Sequence, residues 1–267
     1  AFIALVASEN GVSANSESYQ LIGSVAGQGN KRADEIGSGS AYWQRIVDDI
    51  GYAADRCAAG NFPAGGPERY AFGGKVLTVA ENDQAAQTDP ETYKATLATL
   101  SADIDGEVLT KTGVTATTPA VIYQPASHAS NGTFNPEIAL ALLDLALASN
   151  EFHMSAPCYH LPHANSVHLD AYGAYRMGLA AGLALKRVIV DGVDWKPLYV
   201  VNHQRIGVWL ELEFAGGAFD CPDTVDDQIG LVLDHSTVSP APGKGFVLRH
   251  PNDSVNDFRE CKAIGNT

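Results

Sequence analysis

Up to about residue 190, the chain alternates short apolar runs with longer amphipathic stretches of helical period. The short runs predict strands, and they cover residues 19–27, 75–80, 120–124 and 153–159. The longer stretches predict helices, and they cover residues 40–60, 89–104, 135–150 and 170–189. Because strands alternate with helices, we predict an α/β fold with a parallel sheet and helices on both faces.

Polar residues at the starts of these stretches support the helix predictions. Ser40 and Asp89 have side chains that can cap a helix N-terminus, and Pro90 fits the first helical position. An Asn-Pro pair at 135–136 repeats this signal, and Gly60 is expected to end the first helix.

The pattern changes after residue 189. Short alternating runs broken by Gly, Pro and Asp follow, and "GVWLELEF" at 207–214 alternates apolar and polar residues. This pattern is typical of short strands. We therefore predict two domains, an α/β domain over 1–189 and a small β-rich extension over 190–267.

Composition argues against several classes of function. Lysine and arginine number 17 against 31 acidic residues, so the net charge is −14, and adjacent basic residues occur only at 31–32 and 186–187. A nucleic-acid-binding surface needs clustered cations, so nucleic acid is not an expected partner. The chain also lacks the long apolar run of a membrane span. Its four cysteines form no CxxC motif. They are either free thiols or include a disulfide between Cys221 and Cys261.

Ligands of parallel α/β folds bind at the carboxyl ends of the strands, so the residues that follow each run are candidates. Asn82 follows one run; its amide could donate to a developing negative charge, or it could simply turn the chain. Gly27 and Gly29 follow another and either allow close approach of backbone N–H groups or form an ordinary turn. Their spacing does not fit the dinucleotide motif G-x-G-x-x-G.

The segment "LPHANSVHLDAYG" at 161–173 carries two histidines just before the last helix. A histidine there could be a general base or a structural residue. A zinc site would use His160, His163, His168 and Asp170, but Pro162 interrupts any helix that would align the first two, so we predict no metal.

Taken in order, these motifs resemble those of the SGNH hydrolases, in particular the carbohydrate O-acetylesterases related to sialate esterases. "AGQGNKRADEIGSGSAYW" is similar to the second block of that family, and "VAENDQAAQTDPETYKATLATL" to the third. "NSVHLDAYGAYRMG" is similar to the last block. The resemblance covers roughly residues 20–188 and implies a three-layer α/β/α, flavodoxin-like fold.

The resemblance also implies roles for individual residues. His168 takes the place of the general base, and Asn165 stands where the family has the aspartate that orients it. Asn82 and the backbone N–H of Gly29, with Gly27 as the alternative, take the places of the oxyanion hole. No metal or organic cofactor is implied.

Three positions depart from the family pattern. The family's nucleophile is a serine in a G-D-S or G-Q-S setting at the end of the first strand, and no such block precedes "AGQGN". Ser8 is the candidate within the chain, but we expect the first strand and its serine to lie before residue 1. Ala80 replaces a glycine of the third block, and Asn165 replaces the aspartate.

The expected function is therefore removal of O-acetyl groups from a carbohydrate by serine–histidine catalysis, with an acetylated glycan as substrate. Analogy suggests an extracellular or virion-surface enzyme, such as a phage tail spike module, and a homo-oligomer or virion assembly. The alternative is a non-catalytic glycan-binding or virion structural module on the same fold. A lipase or thioesterase of the same superfamily is a further alternative.

Overall fold

The computed structural model describes residues 22–60, 71–113, 115, 117–126, 136–159, 161–165, 167–197, 199–206, 209–215, 247–248 and 256–257. The chain divides into two compact units, Ala1–Pro197 and Leu198–Thr267. Among the described residues, no helix combines the length and apolarity needed to cross a bilayer.

The first unit alternates helices and strands as predicted. A 3₁₀ turn at Ala33–Glu35 comes first. The later elements, in chain order, are α1 Trp43–Ala58, β1 Lys75–Leu77, α2 Glu81–Ala86, α3 Pro90–Thr112, β2 Ala120–Gln124, α4 Glu137–Ala148, β3 Phe152–Pro157 and α5 Ala171–Ile189.

The three strands form a parallel sheet in the order β1-β2-β3. The central strand β2 is fully buried at Val121 and Ile122. Ile122 packs in a core that includes α3 and α4 residues such as Leu97 and Leu142, whereas Val121 packs against Ala184 of α5. Successive residues of this strand thus face different helices, as expected when both faces of a parallel sheet are covered. The prediction of an α/β fold with a parallel sheet is confirmed.

Of the predicted helix-start signals, Asp89 with Pro90 acts as predicted, whereas the cap position of α1 is Tyr42 rather than Ser40 and that of α4 is Pro136, with Asn135 outside the described residues. The Asp89 carboxylate accepts a hydrogen bond from the Thr92 N–H at 2.9 Å, with Pro90 at the first position of α3. The Ser40 hydroxyl accepts the Trp43 N–H at 3.2 Å at the start of α1. The end of α3 was predicted wrongly, because the helix continues from residue 104 to Thr112. Gly113, with φ of 71°, then ends it in the left-handed conformation that glycine adopts readily.

The strand predicted over 19–27 is absent from residues 22–27, and residues 19–21 lie outside the described part. Ile22 and Val25 are both exposed, Val25 to 94 %. An apolar run stabilises a strand only when its side chains are buried against a neighbour, which these are not.

The segment 190–197 packs on the first unit. The Trp195 indole N–H donates to the Met154 carbonyl of β3 at 2.8 Å, and Lys196 Nζ donates to the Ala146 and Ser149 carbonyls, both at 2.9 Å. The domain boundary predicted after residue 189 therefore lies a few residues before the observed division at Pro197.

The second unit contains β4 Tyr199–Ile206 and β5 Trp209–Ala215, which pair antiparallel. β5 coincides with most of the alternating run "GVWLELEF". Two short strands, β6 Val247–Leu248 and β7 Asn256–Asp257, also pair antiparallel.

Candidate active site at the carboxyl edge of the sheet

Two predicted site loops leave the same edge of the sheet. β1 ends at Leu77, just before Asn82 in α2. β3 ends at Pro157, before the loop that carries His168. Because the strands are parallel, both loops start at the carboxyl edge. β1 and β3 flank β2, so they lie two strand spacings, or about 10 Å, apart.

A hydrogen bond to Asn165 selects the tautomer of the neutral His168 ring. Asn165 Oδ1 accepts the backbone N–H of Val167 at 2.9 Å and that of His168 at 2.8 Å, so this atom must be the amide oxygen. The same oxygen lies 3.1 Å from His168 Nδ1. Since an oxygen acceptor requires a donor, Nδ1 carries the proton of the neutral ring and Nε2 is the basic nitrogen. His168 is exposed.

Backbone contacts hold this loop against the start of α5. The Ala164 N–H donates to the His168 carbonyl at 2.8 Å, and the Asp170 N–H donates to the Pro162 carbonyl at 3.1 Å. Gly173 is required here, because a Cβ at this position would lie 2.2 Å from the Pro162 oxygen. The loop that carries His168 is therefore tied to the helix that follows it.

His163 has a different role from His168. Its Nδ1 lies 2.6 Å from the Leu161 carbonyl, to which it donates, and the residue is only partly exposed. Residues 163 and 169 also form an isolated antiparallel bridge. His163 thus helps to hold the loop in shape.

Asn82 is hydrogen-bonded to the residue that directly follows Gly29, the other predicted oxyanion-hole residue. Asn82 Nδ2 donates to Asn30 Oδ1 at 3.4 Å, and Asn30 directly follows Gly29. Asn30 has φ of 61°, the left-handed region that asparagine tolerates better than most residues. Within the described part of the chain, a Cβ at Gly29 or at the alternative Gly27 would meet no atom within 4 Å, so contacts there do not require glycine at either position.

Asp83 connects the segment of Asn82 to the segment that follows Asn30. Sequence reasoning did not predict this role. Its carboxylate accepts the Ala33 N–H at 2.9 Å and the Thr88 hydroxyl at 3.0 Å, and the residue is buried. Burial raises the pKa of Asp83, against the opposing effect of these two hydrogen bonds. A carboxylate one position after Asn82 was a visible signal, but nothing local shows that it bonds a residue fifty positions away.

Ala80 stands where the family that the sequence resembles has glycine. Its φ is −157°, outside the left-handed region that favours glycine, and the side chain is buried. The negative φ at this position is one that alanine can adopt.

Tyr123 and Cys158 are buried residues that both interact with Glu81. The Tyr123 hydroxyl of β2 donates to Glu81 Oε1 at 3.5 Å. Burial, followed by the negative charge of Glu81, raises the pKa of Cys158 to about 12. Cys158 is thus a neutral thiol near pH 7 and is not a candidate nucleophile.

Ser8, the candidate nucleophile within the chain, lies outside the described residues. Within the described part, no group of three or more His, Cys, Asp or Glu side chains could hold a metal ion. The structure therefore brings Asn82, at the start of α2, against Asn30, the neighbour of Gly29, and brings His168 against Asn165.

Comparison of the chain with protein-family models finds no match, and comparison with curated protein sequences finds none either. Any function proposed for this protein must therefore be supported by its own residues and their geometry.

Proposed function

We propose that the protein is a serine esterase of the SGNH type that removes O-acetyl groups from a carbohydrate. The observation that carries this proposal is the hydrogen bond from His168 Nδ1 to Asn165 Oδ1, which leaves Nε2 as a base on an exposed ring. Asn82 and His168 follow β1 and β3, at the carboxyl edge of a parallel sheet, where ligands of such folds bind.

In the proposed reaction, a serine hydroxyl attacks the acetyl carbonyl while His168 Nε2 takes its proton. The Asn82 amide and the Gly29 N–H stabilise the negative oxygen of the tetrahedral intermediate. Collapse of the intermediate breaks the ester bond, and the His168 imidazolium returns the proton to the sugar oxygen. Water, deprotonated by His168, then hydrolyses the acetyl-enzyme and releases acetate.

The proposed nucleophile is a serine, and Ser8 is the candidate within the chain. Ser8 follows an apolar run but lacks the flanking residues of the family's first block. An enzyme of this class would act on a bacterial capsule, an O-antigen or a plant polysaccharide, so we propose an extracellular or virion-surface setting.

Acetate release from an acetylated polysaccharide tests the proposal directly. We expect the complete polypeptide to release acetate from acetylated pectin or xylan, and to hydrolyse p-nitrophenyl acetate. If Ser8→Ala abolishes both reactions, Ser8 is the nucleophile; if it leaves them intact, the serine lies elsewhere. Binding of the polysaccharide with no release of acetate would contradict the esterase proposal and favour a glycan-binding module.

We expect Asn165→Asp to raise kcat for p-nitrophenyl acetate, by about tenfold or less. Asn165 already selects the productive tautomer of His168, so the carboxylate adds only electrostatic stabilisation of the imidazolium. This differs from a serine-protease triad, where exchanging Asp for Asn lowers kcat by about 10⁴, largely through the wrong tautomer. The control is Asn165→Ala, which removes the acceptor of three hydrogen bonds and should lower kcat. Equal rates for all three proteins would contradict a role for Asn165.

A further inference from the structure

An exposed aromatic pair lies on the first turns of α5. Tyr172 and Tyr175 are 58 % and 61 % exposed. Their rings stack with centroids 6.4 Å apart and planes inclined by 24°. The Arg176 guanidinium lies 5.9 Å from the Tyr172 ring centroid, within the range of a cation–π contact.

These side chains lie close to the candidate base. His168 and Tyr172 are four residues apart, so their Cα atoms are separated by at most about 14 Å. Tyr172 is in the first turn of α5, which the loop of His168 contacts at Gly173. A chain molecule bound along this helix could therefore reach the ring of His168.

Arg176 is a cation that no acidic side chain neutralises within the described part of the chain, although the protein as a whole carries a net charge of −14. Near the other end of α5, Lys186 pairs with Asp191 at 2.8 Å. The first turn of α5 contains no acidic residue. Arg176 can therefore pair with a carboxylate that a ligand brings.

The chemistry of this surface fits a sugar that carries a carboxylate. The faces of aromatic rings are electron-rich and attract the weakly positive C–H groups on the flat side of a pyranose ring. A guanidinium binds a carboxylate through two parallel hydrogen bonds. The two tyrosine rings can thus stack on a sugar ring, and the neighbouring arginine can pair with its carboxylate, on the same surface of α5.

We propose that Tyr172, Tyr175 and Arg176 form a docking surface for an acidic polysaccharide, which presents its acetyl ester to His168. This proposal rests on the esterase function proposed above, and it names the class of glycan as one built from uronate sugars.

Polygalacturonate, which carries no acetyl ester, is the probe for this surface, with dextran as the neutral comparison. By titration calorimetry at low salt, we expect the wild-type protein to bind polygalacturonate and to bind dextran much more weakly. Tyr172→Ala and Tyr175→Ala should each weaken binding by about tenfold. Arg176→Gln should weaken it at low salt and should make the remaining affinity less sensitive to salt.

The chain offers a matched control on α1. Tyr52 is 64 % exposed, and the Arg56 guanidinium lies 5.7 Å from its ring centroid. Tyr52→Ala and Arg56→Gln thus remove an equivalent ring and cation elsewhere, and both should bind polygalacturonate as the wild type does. Far-UV circular dichroism would show that every variant is folded.

Three results would overturn the docking-surface proposal. The first is that Tyr172→Ala binds polygalacturonate as tightly as the wild type, and the second is that Tyr52→Ala loses as much affinity as Tyr172→Ala. The third is that the wild type binds dextran as tightly as polygalacturonate. A smaller molar mass of Tyr172→Ala in light scattering, with no polysaccharide bound by the wild type, would show that a second copy of the chain covers the surface instead.

Failure of the esterase proposal would look different. In that case the wild type would bind polygalacturonate through Tyr172 but would release no acetate from any acetylated substrate. Conversely, the wild type could release acetate while Tyr172→Ala binds polygalacturonate as tightly as the wild type. That result would reject the docking surface but not the esterase proposal.

Discussion

His168→Ala is expected to lower kcat for p-nitrophenyl acetate by about 10³-fold, because it removes the base that we propose activates both the serine and the water. The Nε2 atom is free to act as this base, since Asn165 Oδ1 accepts the proton of Nδ1 at 3.1 Å. KM should change much less, because the acetyl group is not bound by the imidazole. Steady-state kinetics of the purified variant, with burst titration of active sites, measure both constants.

His163→Ala is the matched control for this variant. His163 is in the same loop, but its Nδ1 bonds the Leu161 carbonyl at 2.6 Å and it is only partly exposed. We expect a small loss of thermal stability and a kcat close to that of the wild type. Equal losses of kcat in the two variants would mean that only the shape of the loop matters, and His168 would lose its proposed role as base.

Local signals in the sequence were sufficient for most elements of the first unit. The prediction of β2 over 120–124 is confirmed residue for residue, since a buried parallel strand is a short continuous apolar run. Asp89 with Pro90 marked the start of α3 correctly, because capping depends on residues within one turn. The end of α3 was placed too early, since the helix continues for two more turns past Ile104 and buries Val108 in the core.

The arrangement of the site depends on contacts that no local pattern encodes. Asn82 was singled out from its position after an apolar run, but its bond to Asn30 spans 52 positions. Asp83 reaches Ala33 over a comparable separation. Such contacts are set by the packing of the whole sheet, so the sequence predicts which residues are candidates but not which of them meet.

A charged cluster at the opposite, amino edge of the sheet is expected to govern stability. Lys75 begins β1, and its side chain is only 3 % exposed. Its Nζ lies 2.9 Å from Asp105 Oδ2 and 3.6 Å from Glu151 Oε1, and it donates to the Ser101 carbonyl at 3.2 Å. Asp105 also accepts the hydroxyl of Thr118 at 2.7 Å, just before β2. The cluster therefore connects α3 to the starts of all three strands.

Lys75→Met should reduce the free energy of unfolding by about 3–5 kcal/mol, because it leaves the carboxylates of Asp105 and Glu151 without their shared cation in a largely buried position. Methionine keeps most of the apolar stem of lysine, so the loss reports on the charge rather than on a cavity. Urea denaturation followed by circular dichroism measures the change.

Lys94→Met on α3 provides the control. Lys94 pairs with Glu91 at 2.7 Å, but the Glu91 side chain is 80 % exposed, and a surface pair of this kind contributes less than about 1 kcal/mol. If the two variants lost the same stability, the buried cluster would have no special role. Because Lys75 is at the amino edge, a folded Lys75→Met protein assayed well below its unfolding temperature should keep the wild-type kcat for p-nitrophenyl acetate. This result would separate the stability of the sheet from the chemistry proposed at its carboxyl edge.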